Sequence, residues 1–218
     1  MKFVARLLLT VLCCSVLSRA EKTLTCDLET STQKLYCGYG LIVVQNVAVS
    51  HRETESCVSG VRPDRLDPPL CSSTPVLHIA QHRCNGRHRC SVRMDLCHSA
   101  RPCSSRCVWM ETTYNCVHGK IHYVCQKHRA SLYCGRQVIK VLMANYGRTS
   151  KWVCRYSAPH RQPPNTGCTN PDSLKVMSQR CDGKHKCSVR ASNHIFANVC
   201  PGTRKYLQYS YTCVDPGN

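Results

Sequence analysis

The chain has 218 residues, 20 of them cysteine, and its 30 Lys and Arg outnumber 12 Asp and Glu for a formal charge of +18. That length admits one or two domains of ordinary size. A cysteine share of about 9% excludes a reducing compartment, where so many thiols would stay free and reactive, and the 42% apolar content excludes a disordered chain.

At the start, Lys2 and Arg6 precede a mostly apolar run from Leu7 to Leu17, and Ser18-Arg19-Ala20 offers the small residues a signal peptidase reads. Residues 1–20 are therefore expected to be a secretory leader, cleaved after Ala20, that takes Cys13 and Cys14 with it. The run is too short to span a bilayer, and no later stretch approaches the ~20 apolar residues that a crossing needs. Leu41 to Val47 is rich in strand formers, and Asp67-Pro68-Pro69 marks a loop. Val138 to Ala144 predicts a second such strand, and Pro163-Pro164-Asn165 a second loop. Pro171-Asp172-Ser173 opens a helix with Leu174 and Met177 on one face, ended near Gly183. Near the end, Leu207, Tyr209 and Tyr211 alternate with Gln208, Ser210 and Thr212, as in a half-buried strand.

These elements belong to a repeat. Cys37, Cys57, Cys71, Cys84, Cys90, Cys103 and Cys116 recur 97 residues later as Cys134, Cys154, Cys168, Cys181, Cys187, Cys200 and Cys213. Cys26 and Cys125 lead the two halves, two residues out of register. Arg83, Gly86, His88 and Ser91-Val92-Arg93 return as Arg180, Gly183, His185 and Ser188-Val189-Arg190. The mature chain thus reads as two homologous modules, residues 21–117 and 118–218. Each is expected to be an α+β fold: a small antiparallel sheet, short helices and long stapled loops.

Eight shared cysteines per module allow four disulfides, but spacing alone cannot choose among 105 pairings. Cys97 and Cys107 have no counterparts in the second module, and their joint presence suggests a fifth bridge in the first. His82, Cys84, His88 and Cys90 invite a zinc reading, but Cys-x(5)-Cys departs from the closer spacing of structural zinc sites, so no metal or other cofactor is expected. No GxSxG, HExxH or phosphate-loop pattern occurs, and the second module has only Asp172, Asp182 and Asp215 as acids, which weighs against an enzyme.

Charge is divided unevenly, at +2 in the first module and +13 in the second. Such a surface attracts polyanions at a range set by salt. Outside cells these are anionic glycans and bacterial surface lipids rather than nucleic acid. One reading therefore has a basic secreted effector held to anionic surfaces by charge alone.

A more specific reading comes from motifs. Ala144-Asn145-Tyr146-Gly147-Arg148, the eight-cysteine order, Ser192-Asn193 and Gly202-Thr203-Arg204-Lys205-Tyr206-Leu207 together resemble the rhamnose-binding lectins of fish eggs, the galactose-binding or sea-urchin-egg-lectin type of domain. The resemblance covers both modules. It implies a secreted protein that binds L-rhamnose or D-galactose without calcium, on glycoproteins, glycolipids or bacterial lipopolysaccharide. It implies disulfides Cys125–Cys154, Cys134–Cys213, Cys168–Cys200 and Cys181–Cys187, and by repeat Cys26–Cys57, Cys37–Cys116, Cys71–Cys103 and Cys84–Cys90.

Carried over residue by residue, the family's sugar-binding set falls on Tyr146 and Arg148 of the tyrosine-glycine-arginine triplet, Asn193, Gly202 and Lys205. Two positions depart: Gln126 stands where the family has glutamate, and Asn198 where it has aspartate. An amide offers one acceptor and one donor group in place of charge-assisted acceptors, and the exchange also makes the corner more cationic. In the first module Asp27 keeps a carboxylate, but the triplet reads Val49-Ser50-His51 and the asparagine, aspartate and lysine positions hold Leu96, Arg101 and Val108. That module is expected not to bind rhamnose in the family manner. Cross-linking of cells would then need an oligomer or a different ligand on the first module.

Overall fold

The structure, a computed structural model, describes residues 20–26, 32–50, 74–93, 109–155 and 165–217. The expected leader apart from Ala20, both proline loops apart from Asn165, and Cys57, Cys71, Cys97, Cys103 and Cys107 lie outside the described residues. The first repeat contains β1 (Glu21–Cys26), β2 (Thr32–Tyr36), β3 (Leu41–Ser50), helix α1 (Thr74–Cys84), β4 (Arg89–Arg93) and β5 (Trp109–Val117). The second contains β6 (Lys120–Cys125), β7 (Arg129–Tyr133), β8 (Val138–Gly147), α2 (Ser173–Cys181), β9 (Lys186–Arg190), a four-residue helix α3 (Asn193–Phe196) and β10 (Tyr206–Val214). All pairings are antiparallel, with sheets ordered β1-β5-β3 and β2-β4 in the first repeat and β6-β10-β8 and β7-β9 in the second.

The two long strands and the helix form where the apolar periodicity places them. β3 and β8 carry β-branched residues that pack well on a pleated surface, and Val44, Val47, Ile139 and Val141 point into the cores. Helix α2 buries Met177 and Cys181 against Ile139, Val141 and Val189. Burial of each large apolar side chain contributes about 1.5–3 kcal/mol. In so small a unit the cross-links matter as much, at about 2–4 kcal/mol each.

Among the described residues the bonds are Cys37–Cys116, Cys84–Cys90, Cys125–Cys154, Cys134–Cys213, Cys168–Cys200 and Cys181–Cys187, the pairs implied by the family resemblance. Cys26 is also disulfide-bonded.

One irregularity recurs in both repeats. The register of β3 on β5 skips Gln45, and that of β8 on β10 skips the corresponding Leu142. Each bulge is held by a side chain from the loop after the helix: Asn85 Oδ1 accepts from Val44 N, and Asp182 Oδ1 from Val141 N, both at 2.8 Å.

The alternation in β10 predicts a solvent-facing Ser210, yet Ser210 is fully buried. The α1–β4 loop of the first repeat covers that face, and Ser210 Oγ donates to the Gly86 carbonyl at 2.9 Å. A Cβ on Gly86 would clash with Ser210 Oγ and lie 2.7 Å from Met143 Cβ. The approach therefore requires glycine, whose φ of +74° demands it independently. Gly183, the same position in the second repeat, also has positive φ, but a Cβ there would meet no atom within 4 Å.

Candidate functional site

The residues singled out in the second repeat come from five separate stretches of chain. Gln126 follows β6, Tyr146 and Arg148 end β8, Asn193 opens α3, Asn198 and Gly202 lie in the loop after it, and Lys205 precedes β10. Pairing of β10 with both β6 and β8 brings Gln126, Tyr146 and Lys205 to one corner. Cys168–Cys200 ties the 198–203 loop to the bridge between Arg148 and Cys168, and Cys125–Cys154 anchors Gln126 from the other side.

Tyr146 is fully buried, its ring stacked on Phe196 with centroids 5.1 Å apart. Its hydroxyl donates to Asn193 Oδ1 at 2.9 Å, and Gln126 Nε2 donates to the same oxygen at 3.3 Å. Gln126 Oε1 in turn accepts from the Lys205 backbone N–H at 3.1 Å. With Oδ1 engaged twice, Asn193 is exposed and directs its Nδ2 donors away from these partners. Burial pushes the Tyr146 phenol up to about 12, so it remains a neutral donor at physiological pH.

Lys205 and Arg148 sit differently from what exposed ligand-binding cations would require. Lys205 is 1% exposed, and its ammonium donates to Asn198 Oδ1 at 2.6 Å and to the Cys200 and Thr203 carbonyls at 2.9 and 3.1 Å. Three acceptors use the three N–H bonds of an ammonium. Burial lowers its pKa, and among the described residues its side-chain partner is the amide oxygen of Asn198 rather than a carboxylate. Arg148 is 2% exposed and donates to the carbonyls of Arg204, Ser150 and Val153 while lying over the Tyr206 ring. Both cations hold the loops around the corner. Gly202 is exposed, with φ of +78°.

Gly147 has a role other than a turn. It ends β8, where a Cβ would clash with the Cys168 carbonyl oxygen, so its absence lets the two backbones pair. Sequence reasoning missed three supports. Ser173 Oγ accepts from the Tyr146 N–H at 2.8 Å, Phe196 floors the corner, and Asn170 donates to the Phe196 carbonyl. The signal for Phe196 was its i, i+3 spacing from Asn193; nothing local marks Ser173 or Asn170.

His88, one of the zinc candidates, and its repeat counterpart His185 each place Nδ1 against a backbone carbonyl, of Gly40 at 2.6 Å and Gln137 at 2.8 Å. Among the described residues no group of three metal-ligating side chains occurs, and no helix is long and apolar enough to cross a membrane.

The fold and this corner define a class: a disulfide-stapled α+β module of the lectin type, with exposed amides set on a buried aromatic floor. Residues 132–213, within the second repeat, match the family model of the D-galactoside/L-rhamnose binding SUEL lectin domain. The chain is 32% identical over 197 residues to the L-rhamnose-binding lectin SML of Scomberomorus niphonius, covering 90% of this chain and 96% of that one. It is 33% identical over 181 residues to a rhamnose-binding lectin of Silurus asotus, covering 83% and 58% respectively. With an L-rhamnose-binding lectin of Oncorhynchus keta the identity is 33% over 195 residues, covering 89% and 66%. The chain belongs to the rhamnose-binding lectin family, and it spans little more than half the length of the Silurus asotus relative.

Proposed function

We propose that the chain is a secreted, non-enzymatic, metal-independent lectin of two tandem modules, 21–117 and 118–218, whose second module binds a monosaccharide of the L-rhamnose or D-galactose type. The observation that carries this reading is the run of hydrogen bonds from Tyr146 Oη and Gln126 Nε2 to Asn193 Oδ1. It fixes the amide plane and leaves the Asn193 Nδ2 donors directed outward, where ring hydroxyls can accept. Asn193 and Gln126 contact the sugar; Tyr146 orients Asn193; Lys205, Arg148, Asn198 and Gly202 shape the loop. The natural partners are glycans of glycoproteins, glycolipids or bacterial lipopolysaccharide. The first module contributes no second site of this kind, since Val49 replaces the tyrosine and is fully buried in the core.

The test is elution from immobilised rhamnose. Free L-rhamnose or D-galactose displaces the protein, a chelator does not, and retention survives moderate salt. Release by salt but not by free sugar would replace a sugar pocket with charge binding.

A further inference from the structure

The first repeat, although its sugar set is gone, holds a cleft of about 470 Å³ lined by His82, Arg83, Arg87, Arg89, Cys90 and Ser91. Its three guanidinium groups come from separate elements locked together. Arg83 lies in the last turn of α1, Arg87 on the loop closed by Cys84–Cys90, and Arg89 at the start of β4. All three are exposed. The same loop is seated on the second repeat through Gly86, and Arg87 lies near enough to the exposed Tyr123 of β6 to act on its phenol.

Ordinary surface charge does not account for this cluster. The first repeat is nearly neutral at +2, yet three of its arginines share one cleft, and of its described acids Glu111 pairs with Lys22 and neither Glu21 nor Glu111 lines the cleft. A helix dipole favours cations in the last turn, which covers His82 and Arg83 but not Arg87 or Arg89. The charges also return in the second repeat as Arg180, Lys184 and Lys186, so both repeats share this pattern although only the second carries the sugar residues. Guanidinium forks match oxyanions in two-pronged fashion, and three of them on one open face suit the several oxygens of a single sulfate ester.

We propose that this cleft is an anion site that receives a sulfate ester of an acidic glycan, separate from the monosaccharide corner of the second repeat. The full chain and the variant Arg83→Gln/Arg87→Gln/Arg89→Gln are titrated with a heparin-derived sulfated oligosaccharide, with its desulfated counterpart that keeps the carboxylates, and with phosphatidylserine vesicles. L-rhamnose titration of both proteins reports whether the other site and the fold are intact. The expected result is binding of the sulfated oligosaccharide that weakens about 30-fold in the triple variant at about 0.15 M salt. Rhamnose affinity stays unchanged, and the desulfated sugar and the vesicles bind weakly. A control variant, Arg136→Gln/Lys151→Gln/Lys175→Gln, retains the binding. The proposal is overturned if the triple variant binds the sulfated sugar like the wild type, if the control loses as much, if desulfation has no effect, or if vesicles are preferred.

Discussion

The two repeats share a framework down to single hydrogen bonds and differ at two surfaces. In both, a loop side chain holds a bulge, and a Cys-x(5)-Cys disulfide closes the loop that follows the helix. At the corner, Tyr146 of the second repeat stands where the first has Val49. At the bulge, Leu142 and Met143 are buried beneath the first repeat's loop, whereas Gln45 and Asn46 in the first are exposed. Cysteines and bulge, common to both repeats, maintain the scaffold, while the corner and the outer face differ between them. Gly183 presents the equivalent loop in the second repeat, whereas the exposed Gln45 and Asn46 make the matching face of the first repeat polar.

The comparison can be broken hardest at Gly147. Gly147→Val forces a side chain onto the Cys168 carbonyl and is expected to cost about 3 kcal/mol or more, unfolding the corner. Gly135→Ala, where φ is +59° and nothing lies nearby, is expected to cost about 1 kcal/mol, and denaturant melts separate the two.

Next in size are the paired glycines of the disulfide loops. Gly86→Ala and Gly183→Ala share the left-handed backbone cost of about 1 kcal/mol, but only Gly86→Ala adds the clash with Ser210 and Met143, for about 2–3 kcal/mol in total. Equal losses in thermal melts would show that the repeats do not pack through Gly86.

Asn198→Asp sharpens the corner. It gives the buried Lys205 ammonium a charged partner and is expected to stabilise the protein by about 1 kcal/mol, seen as a higher melting temperature. A lower melting temperature would mean that desolvating the new carboxylate outweighs the pair.

The smallest effect is alkaline. Burial raises the phenols of Tyr146 and Tyr209, both in the second core, to about 12. A folded pKa above the unfolded value means that the folded state holds its proton longer. The stabilisation is therefore present below pH about 10 and lost as pH rises from there towards 12. A phenolate absorbance titration should show Tyr146 and Tyr209 among the late-ionising tyrosines, with one fewer in Tyr146→Phe.

Much of this architecture was legible because it is written in local patterns. The constant offset of seven cysteines marks the repeat, the β-branched runs mark β3 and β8, and Leu174 with Met177 marks α2. What escaped depends on contacts between distant segments. The family motif marks Lys205 as part of the sugar set, but nothing local announces that the loop pinned by Cys168–Cys200 wraps its ammonium in carbonyls. Ser210 reads as solvent-facing because no pattern within β10 announces that Gly86 covers it. The triplet glycine carries no local sign of its reason, the Cys168 backbone beside it.

The most direct test is a calorimetric titration of the full chain with L-rhamnose. The account predicts one sugar per chain, with affinity falling about tenfold in Asn193→Ala as the outward amide donors are lost. Two sugars per chain, or one whose binding survives Asn193→Ala unchanged, would contradict it.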